Sequence, residues 1–321
     1  MQRLGCATGV LLAMLALAAP VRAQEHFPAR PVQVIVPATP GGPVDTAMRL
    51  IEPALASALG QSVVLINKPG ASGTLGMQAV ASAAPDGYTI GQGVNSIFTI
   101  TRISGTHVPF TLDDFSLLGN YVTDVSVLAV SADAKWKTFD DVVAYAHANP
   151  GKLNYASAGI GTVSQLSMEA LAHKFGLNMV AVPFPGGAQL TTAILGKQID
   201  IGMVPYTTGA AMFKANKLRP LLTTAPERLR QLPDVPTFAD KGITQNGLNL
   251  IMGLYAPRGL PDGVRDTLTG AVAKAARDPA FVAKVEGLGL LARYEDPAAA
   301  RKRLESEYAD IVALSHALQK K

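Results

Sequence analysis

Short apolar runs alternate with amphipathic stretches along almost the whole chain. The runs VQVIVP (32–37), SVVLIN (62–67), YTIGQG (88–93), VSVLAV (125–130), KLNYAS (152–157), MVAVPF (179–184), IDIGMV (199–204), LRPLLTT (218–224) and LIMGLYA (250–256) have the length and β-branched content of strands. Between the first two, Ala47, Leu50, Ile51, Ala54, Leu55, Ala58 and Leu59 recur at 3-and-4 spacing up to Gly60. That is one buried helix stripe with a glycine stop, and Pro53 inside it is expected to bend it. The tail reads as helix throughout, over about 261–277, 279–287 and 296–318. Leu304, Tyr308, Ile311, Leu314 and Leu318 share one face of the last segment. Strand and helix in strict alternation predict α/β architecture with doubly wound, mostly parallel sheets.

The plan occurs twice. The stretch IVPATPGGPVDTAMRLI (35–51) runs from strand through a Pro/Gly loop into a helix, and LNYASAGIGTVSQLSMEALAHKFG (153–176) does the same. Each is followed by another strand and glycine turn, NKPGASG (67–73) and PFPGGAQ (183–189). Gly42 and Gly70 are separated by the same interval as Gly159 and Gly187. Two lobes of similar design are expected, each presenting a helix start beside a glycine loop.

The first 23 residues change the picture. MQRLGCATGVLLAMLALAAPVRA has a basic start, an apolar run too short to span a bilayer, and Val-Arg-Ala before Gln24. It reads as a signal peptide cleaved after Ala23, which sends the protein to the periplasm. Removing it from 321 residues leaves 298, with no cysteine, so a disulfide framework and a cysteine nucleophile are excluded. Without Arg3 and Arg22 the formal charge drops from +4 to +2, and no basic block remains. Nucleic acid is not an expected partner.

A helix start leaves backbone N–H groups unpaired and carries partial positive charge, so it holds an anion without Lys or Arg. Glycine lets the ligand approach the backbone closely. The phosphate versions of this device do not fit. Gly151-Lys152 and Gly196-Lys197 lack the following Ser or Thr of a P-loop, and GIGTVS lacks the third glycine of a dinucleotide fingerprint. The histidines, His26, His107, His147, His173 and His316, have no metal-ligand spacing, and no Gly-x-Ser-x-Gly elbow is present. Asp113, Asp114, Asp140 and Asp141 sit at helix starts, where acids cap. No catalysis, metal or cofactor is expected. Trp136 lies in SADAKWKTFDD, a polar lead-in away from both loops.

FPARPVQVIVPATPGGPVDTAMR, LGQSVVLINKPGASGTLGMQAVASAAPDGYTI, NPGKLNYASAGIGTVSQLSMEAL, LRPLLTTAPERLRQLPDVPTFADKG and GLYAPRGLP, in that order, resemble the Bug proteins. These are the extracytoplasmic solute receptors of tripartite tricarboxylate transporters. The resemblance implies a two-lobed periplasmic binding protein, of the Venus flytrap type, that closes on a small carboxylate. It then presents the ligand to a membrane permease with one large and one small subunit; a monomer is expected. Residues 24–124 plus 250–321 would form lobe one and 125–249 lobe two. The family's site maps onto Thr39, Pro40, Gly42, Pro43, Asp45, Asn95 and Ser96 of the first lobe. In the second it maps onto Ser157, Ala158, Gly159, Gly161, Thr162, Gln165, Gly186 and Val204. Asp45 and Thr162 also read as plain helix caps.

This chain departs from the family pattern at four places. Ala38-Thr39-Pro40-Gly41-Gly42 replaces Phe-Pro-Pro-Gly-Gly, Gln165 stands for His, Val204 for Asp and Ile251 for Trp. Val204 and Ile251 would give the cleft an apolar wall, and so favour an aromatic or plain aliphatic carboxylate, terephthalate-like first. The alternative role is a sensory receptor that signals to a membrane kinase.

Overall fold

A computed structural model describes residues 27–103, 107–157, 159, 162–244 and 247–319. The proposed signal peptide and two of the expected site residues, Ala158 and Gly161, lie outside them. The strands are β1 (Val32–Val36), β2 (Val63–Asn67), β3 (Thr89–Val94), β4 (Phe115–Asp124), β5 (Ser126–Ser131) and β6 (Asn154–Ser157). They continue with β7 (Val180–Pro183), β8 (Ile201–Pro205), β9 (Leu218–Thr223), β10 (Leu250–Pro257) and β11 (Leu291–Glu295). They form two sheets, ordered β11-β4-β10-β3-β1-β2 and β7-β6-β8-β5-β9, which are the cores of two lobes.

Both sheets are mixed, where the strand–helix alternation predicts mostly parallel ones. The parallel part is β2-β1-β3 in one lobe and β7-β6-β8 in the other. The strands that carry the chain between lobes enter antiparallel: β10 against β3 and β4, and β5 against β8 and β9. A strand that leaves one sheet to enter another has no crossover helix to bring it back, so it pairs antiparallel with its neighbours. β4 ends at Asp124 and β5 begins at Ser126, so a single residue, Val125, separates the two sheets at the first crossing.

Two strands escape the periodicity. β4 is buried on both faces and therefore lacks a polar-apolar alternation. β11 interrupts the expected all-helical tail with five residues, of which Leu291, Ala292 and Glu295 pair with β4. The Pro43–Leu59 helix runs unbroken through Pro53 and stops at Gly60, whose φ of 66° is the left-handed conformation that ends helices. Thr111 with Asp114, and Thr138 with Asp141, form reciprocal capping boxes, which accounts for two of those four acids. Asp140 pairs with Lys241 at 2.7 Å.

The last helix, Pro297–Gln319, belongs to both lobes. Leu304 packs in the first-lobe core, while Ile311 and Leu314 pack with Leu166, Ile243 and Leu248 in the second. Trp136 stands on the lead-in to the Phe139–Ala148 helix and is buried there in the second-lobe core, edge-on to Tyr145. Among the described residues no helix is long and apolar enough to cross a membrane.

Candidate functional site

A cavity of about 210 Å³ lies between the lobes. Its first-lobe wall is Pro37, Pro43, Val44, Ser72, Val94, Ser96 and Ile97; its second-lobe wall is Thr162, Val163, Ser164, Gly186, Gly187 and Pro205. Asp124, Ser126 and Leu250, from the crossing strands, complete it. Pro37, Val94 and Pro205 stand at or just beyond the carboxyl ends of β1, β3 and β8, the edge at which α/β sheets hold ligands. No Lys, Arg or His lines the cavity among the described residues.

Three helices start at this cavity: Pro43–Leu59, Val163–Phe175 and Gly187–Leu195. Gly42 and Gly186 are the N-caps of the first and third, and neither helix has a side-chain cap. The N–H groups of those first turns are thus available to an anion. Thr162 caps the second helix, accepting from the Gln165 N–H at 3.4 Å while its hydroxyl donates to the Gly159 carbonyl at 2.8 Å.

Asp45 is a scaffold for the first loop. One oxygen accepts from the Gly41 N–H and from Arg49 Nε, both at 2.8 Å, and the other from Asn67 Nδ2 at 2.9 Å. Asn67 also donates to the Ala38 carbonyl at 2.9 Å, so one small network fixes residues 38–45. Burial opposes ionisation of Asp45, but the hydrogen bonds from Arg49, Gly41 and Asn67 outweigh it and keep the carboxyl below its ordinary range.

Of the expected site residues, Pro43, Ser96, Thr162 and Gly186 line the cavity. Thr39 and Pro40 are exposed on the loop outside it, and Gly42 closes the turn by donating to the Thr39 carbonyl at 3.4 Å. Ser157 is buried at the end of β6, where its carbonyl accepts from the Phe184 N–H, and Gly159 supports Thr162. The Gln165 amide donates to Glu169 along the same helix at 2.7 Å.

Three expectations are corrected. Val204 is fully buried in the second-lobe core with Phe213, Leu190 and Ile194, because it points away from the cleft toward the helices behind β8. The next residue, Pro205, reaches the cavity instead, as the strand's alternation requires. Asn95 is buried with its amide already committed. Its Nδ2 donates to the Asn249 carbonyl at 3.0 Å and to Glu307 Oε2 at 2.9 Å, and its Oδ1 accepts from the Ile251 N–H at 3.0 Å. Asn95 therefore brackets the hinge and does not line this cavity. Ile251 also lies away from the cavity. It lines a hollow of about 320 Å³ with Thr123, Asn249 and Arg303, and this hollow contains neither glycine loop. Thr123 and Asp124, and likewise Leu250 and Ile251, line different cavities because adjacent strand residues point to opposite faces.

Asp124 and Ser126 are, with Ser72 and Ser164, polar cavity residues that sequence reasoning missed. Nothing local marks Asp124 and Ser126, since they sit in an apolar run and gain their position from the crossing. Burial pushes the Asp124 carboxyl up to about 7, against the opposing hydrogen bonds from the Thr207 hydroxyl and the amides of Thr207 and Tyr206. Burial likewise pushes Glu307 up to about 7, although Asn95 donates to it and Arg303 stands nearby. Both groups keep in the folded state a proton that the unfolded chain releases near pH 4, so their contribution falls as pH rises from about 4 to 7. We expect the ligand-free protein to lose about 5 kcal/mol between pH 5 and pH 8, roughly 10–20 °C in melting temperature. Calorimetric melts of wild type and of an Asp124→Asn, Glu307→Gln double variant check this; the variant's curve should lose most of its slope over that window.

Two mixed α/β sheets joined by crossing strands, with the cavity at the junction, define the periplasmic-binding-protein class. The chain belongs to the tripartite tricarboxylate transporter receptor family: the model of the "Tripartite tricarboxylate transporter family receptor" matches residues 47–309. A UPF0065 protein of Bordetella pertussis is 36% identical over 268 residues, covering 84% of this chain and 83% of its own. Among solved structures, the periplasmic binding protein BugD superposes with a TM-score of 0.81 at 28% identity, covering 91% of this chain and 99% of that one. A protein of R. palustris solved with adipate has a TM-score of 0.84 at 26% identity, covering 91% and 98%. MatC of Rhodopseudomonas palustris, solved with bound malate, has a TM-score of 0.80 at 28% identity, covering 90% and 99%. The chain is accordingly a solute-binding receptor of this family and not an enzyme.

Proposed function

We propose that this receptor captures a small organic carboxylate in the periplasm, after export by residues 1–23, and delivers it to a membrane permease with one large and one small subunit. The observation that carries this reading is the convergence of two uncapped helix starts, at Pro43 and Gly187, on one interlobe cavity with no cationic lining among the described residues. Backbone amides then supply the anion recognition, each helix end contributing about 0.3–1 kcal/mol and up to about 2 when partly buried. Adipate and malate in the related structures are of the same chemical class.

Pro43, Val44, Val94, Ile97, Val163 and Leu250 make the rest of the cavity apolar. They favour a ligand with an apolar body, aromatic or plain aliphatic, with terephthalate-like acids first. The reason is this wall and not Val204. The test is native mass spectrometry of protein purified from its host, followed by a thermal-shift panel of benzoates, phthalates, adipate, malate, citrate and aspartate. We expect a plain mono- or dicarboxylate to give the largest stabilisation. A panel in which no carboxylate stabilises the protein overturns the class, and one led by citrate or aspartate overturns the apolar-bodied ligand.

A further inference from the structure

Asp124 is the one ionisable side chain among the residues that line the cavity. It is 1% exposed, at the end of β4 where the chain leaves the first sheet. Its two oxygens live differently. Oδ2 accepts from Thr207 Oγ1 at 2.6 Å, at the start of the Tyr206–Lys214 helix, while Oδ1 is buried without a hydrogen-bond partner among the described residues. A buried carboxylate oxygen left unpaired is strongly disfavoured, whereas a carboxylic acid with its proton on that oxygen is a donor in need of an acceptor.

An anion in this cavity meets no Lys, Arg or His among the lining residues, and an ionised Asp124 would repel it. We propose that Asp124 is a ligand-contacting, specificity-determining residue of the cleft, its Oδ1 donating a hydrogen bond to a carboxylate of the bound acid. The inference rests on the carboxylate reading above and deepens it. The polar lining falls into two sets, the loop set of Ser72, Ser96, Thr162, Ser164 and the glycine-loop amides, and the hinge set of Asp124 and Ser126. A ligand with two carboxyl groups answers both, so a dicarboxylate is the class selected.

Binding is then linked to a proton. The acid form already prevails up to about pH 7 because burial disfavours the charge. The elements around Asp124 are β4, β5, β10 and the Tyr206–Lys214 helix, whose titratable side chains are Tyr121, Tyr206, Lys214 and Tyr255. None of those side chains acts on Asp124; only burial, the Thr207 hydroxyl and the amides of Tyr206 and Thr207 do. A dicarboxylate that arrives above pH 7 must bring in one proton from solvent to make the pair.

Isothermal titration calorimetry of the exported chain with adipate and with terephthalate, at pH 6.5 and 8.5 in buffers of different ionisation enthalpy, tests this. For the acid that binds, wild-type affinity should fall roughly twentyfold from the lower to the higher pH, with close to one proton taken up at pH 8.5. Asp124→Asn keeps an acceptor for Thr207 and a donor toward the cavity but cannot ionise. It should bind with one affinity at both pH values and more tightly than wild type at the higher. Equal wild-type affinity at both pH values with no proton taken up overturns the inference and leaves the carboxylate reading standing. A wild-type affinity that rises with pH, and is lost in Asp124→Asn, overturns it by showing an ionised Asp124 that accepts from a donor on the ligand. No binding of any carboxylate overturns the reading and the inference together. The wild-type proton uptake decides the matter whether or not the variant folds.

Discussion

A Gly186→Asp receptor is expected to fold as stably as the wild type and to bind carboxylates about 100-fold more weakly. Gly186 is the N-cap of the Gly187–Leu195 helix in extended backbone, φ 172°, ψ 176°, a conformation open to any residue. A Cβ added there meets only Gln189 Oε1, at 3.3 Å, the far end of a flexible side chain. The new carboxylate would cap the helix and occupy the amides that the reading assigns to the ligand. At the rim of a partly buried cavity, like charges a few ångströms apart repel by about 3 kcal/mol, roughly a factor of 100 in affinity. The paired measurement is a melt and a titration. Unchanged affinity with an intact fold would take the Gly187 helix start out of the site.

The second large effect is on stability. Asn95→Leu should lower it by about 3–5 kcal/mol, because it leaves the Ile251 N–H and the Asn249 carbonyl without their partner in a buried hinge. Glu307 also loses a donor, although it can stay protonated below about pH 7. The damage should spread across the hinge. Asn249 Oδ1 accepts from Thr224 Oγ1 at 2.6 Å, and Thr224 in turn accepts from the Ser126 N–H at 2.8 Å. Because Asn95 does not line the cavity, affinity measured well below the melt should change far less than in Gly186→Asp. Chemical denaturation with the midpoint unmoved would show that the bracket is not what holds the crossing. A variant that folds normally but binds weakly would return Asn95 to the site.

Nine of the eleven strands among the described residues were legible as apolar runs, because a strand with a buried face needs β-branched and aliphatic residues in a short window. β4 and β11 were not, and their pairing partners explain why. β4 lies between β10 and β11, two strands that follow it by more than a hundred residues, so its assignment depends on what packs on it rather than on its own pattern. The site divides in the same way. Pro43, Thr162 and Gly186 stand at or beside helix starts whose glycine and capping chemistry is written within a few residues. Asp124 carries no such mark.

The chain's own sequence determined the alternation of strand and helix, the glycine-loop helix starts, the lack of any cysteine after residue 23 and the family. Each of these depends on period, composition or neighbours close along the chain. Only the tertiary structure decided which way the crossing residues point. Val204 turned into the core and Pro205 to the cavity because one step along a strand reverses the face. Asn95 became a bracket because its partners, Asn249 and Glu307, lie 154 and 212 residues away and meet it only once both lobes are built.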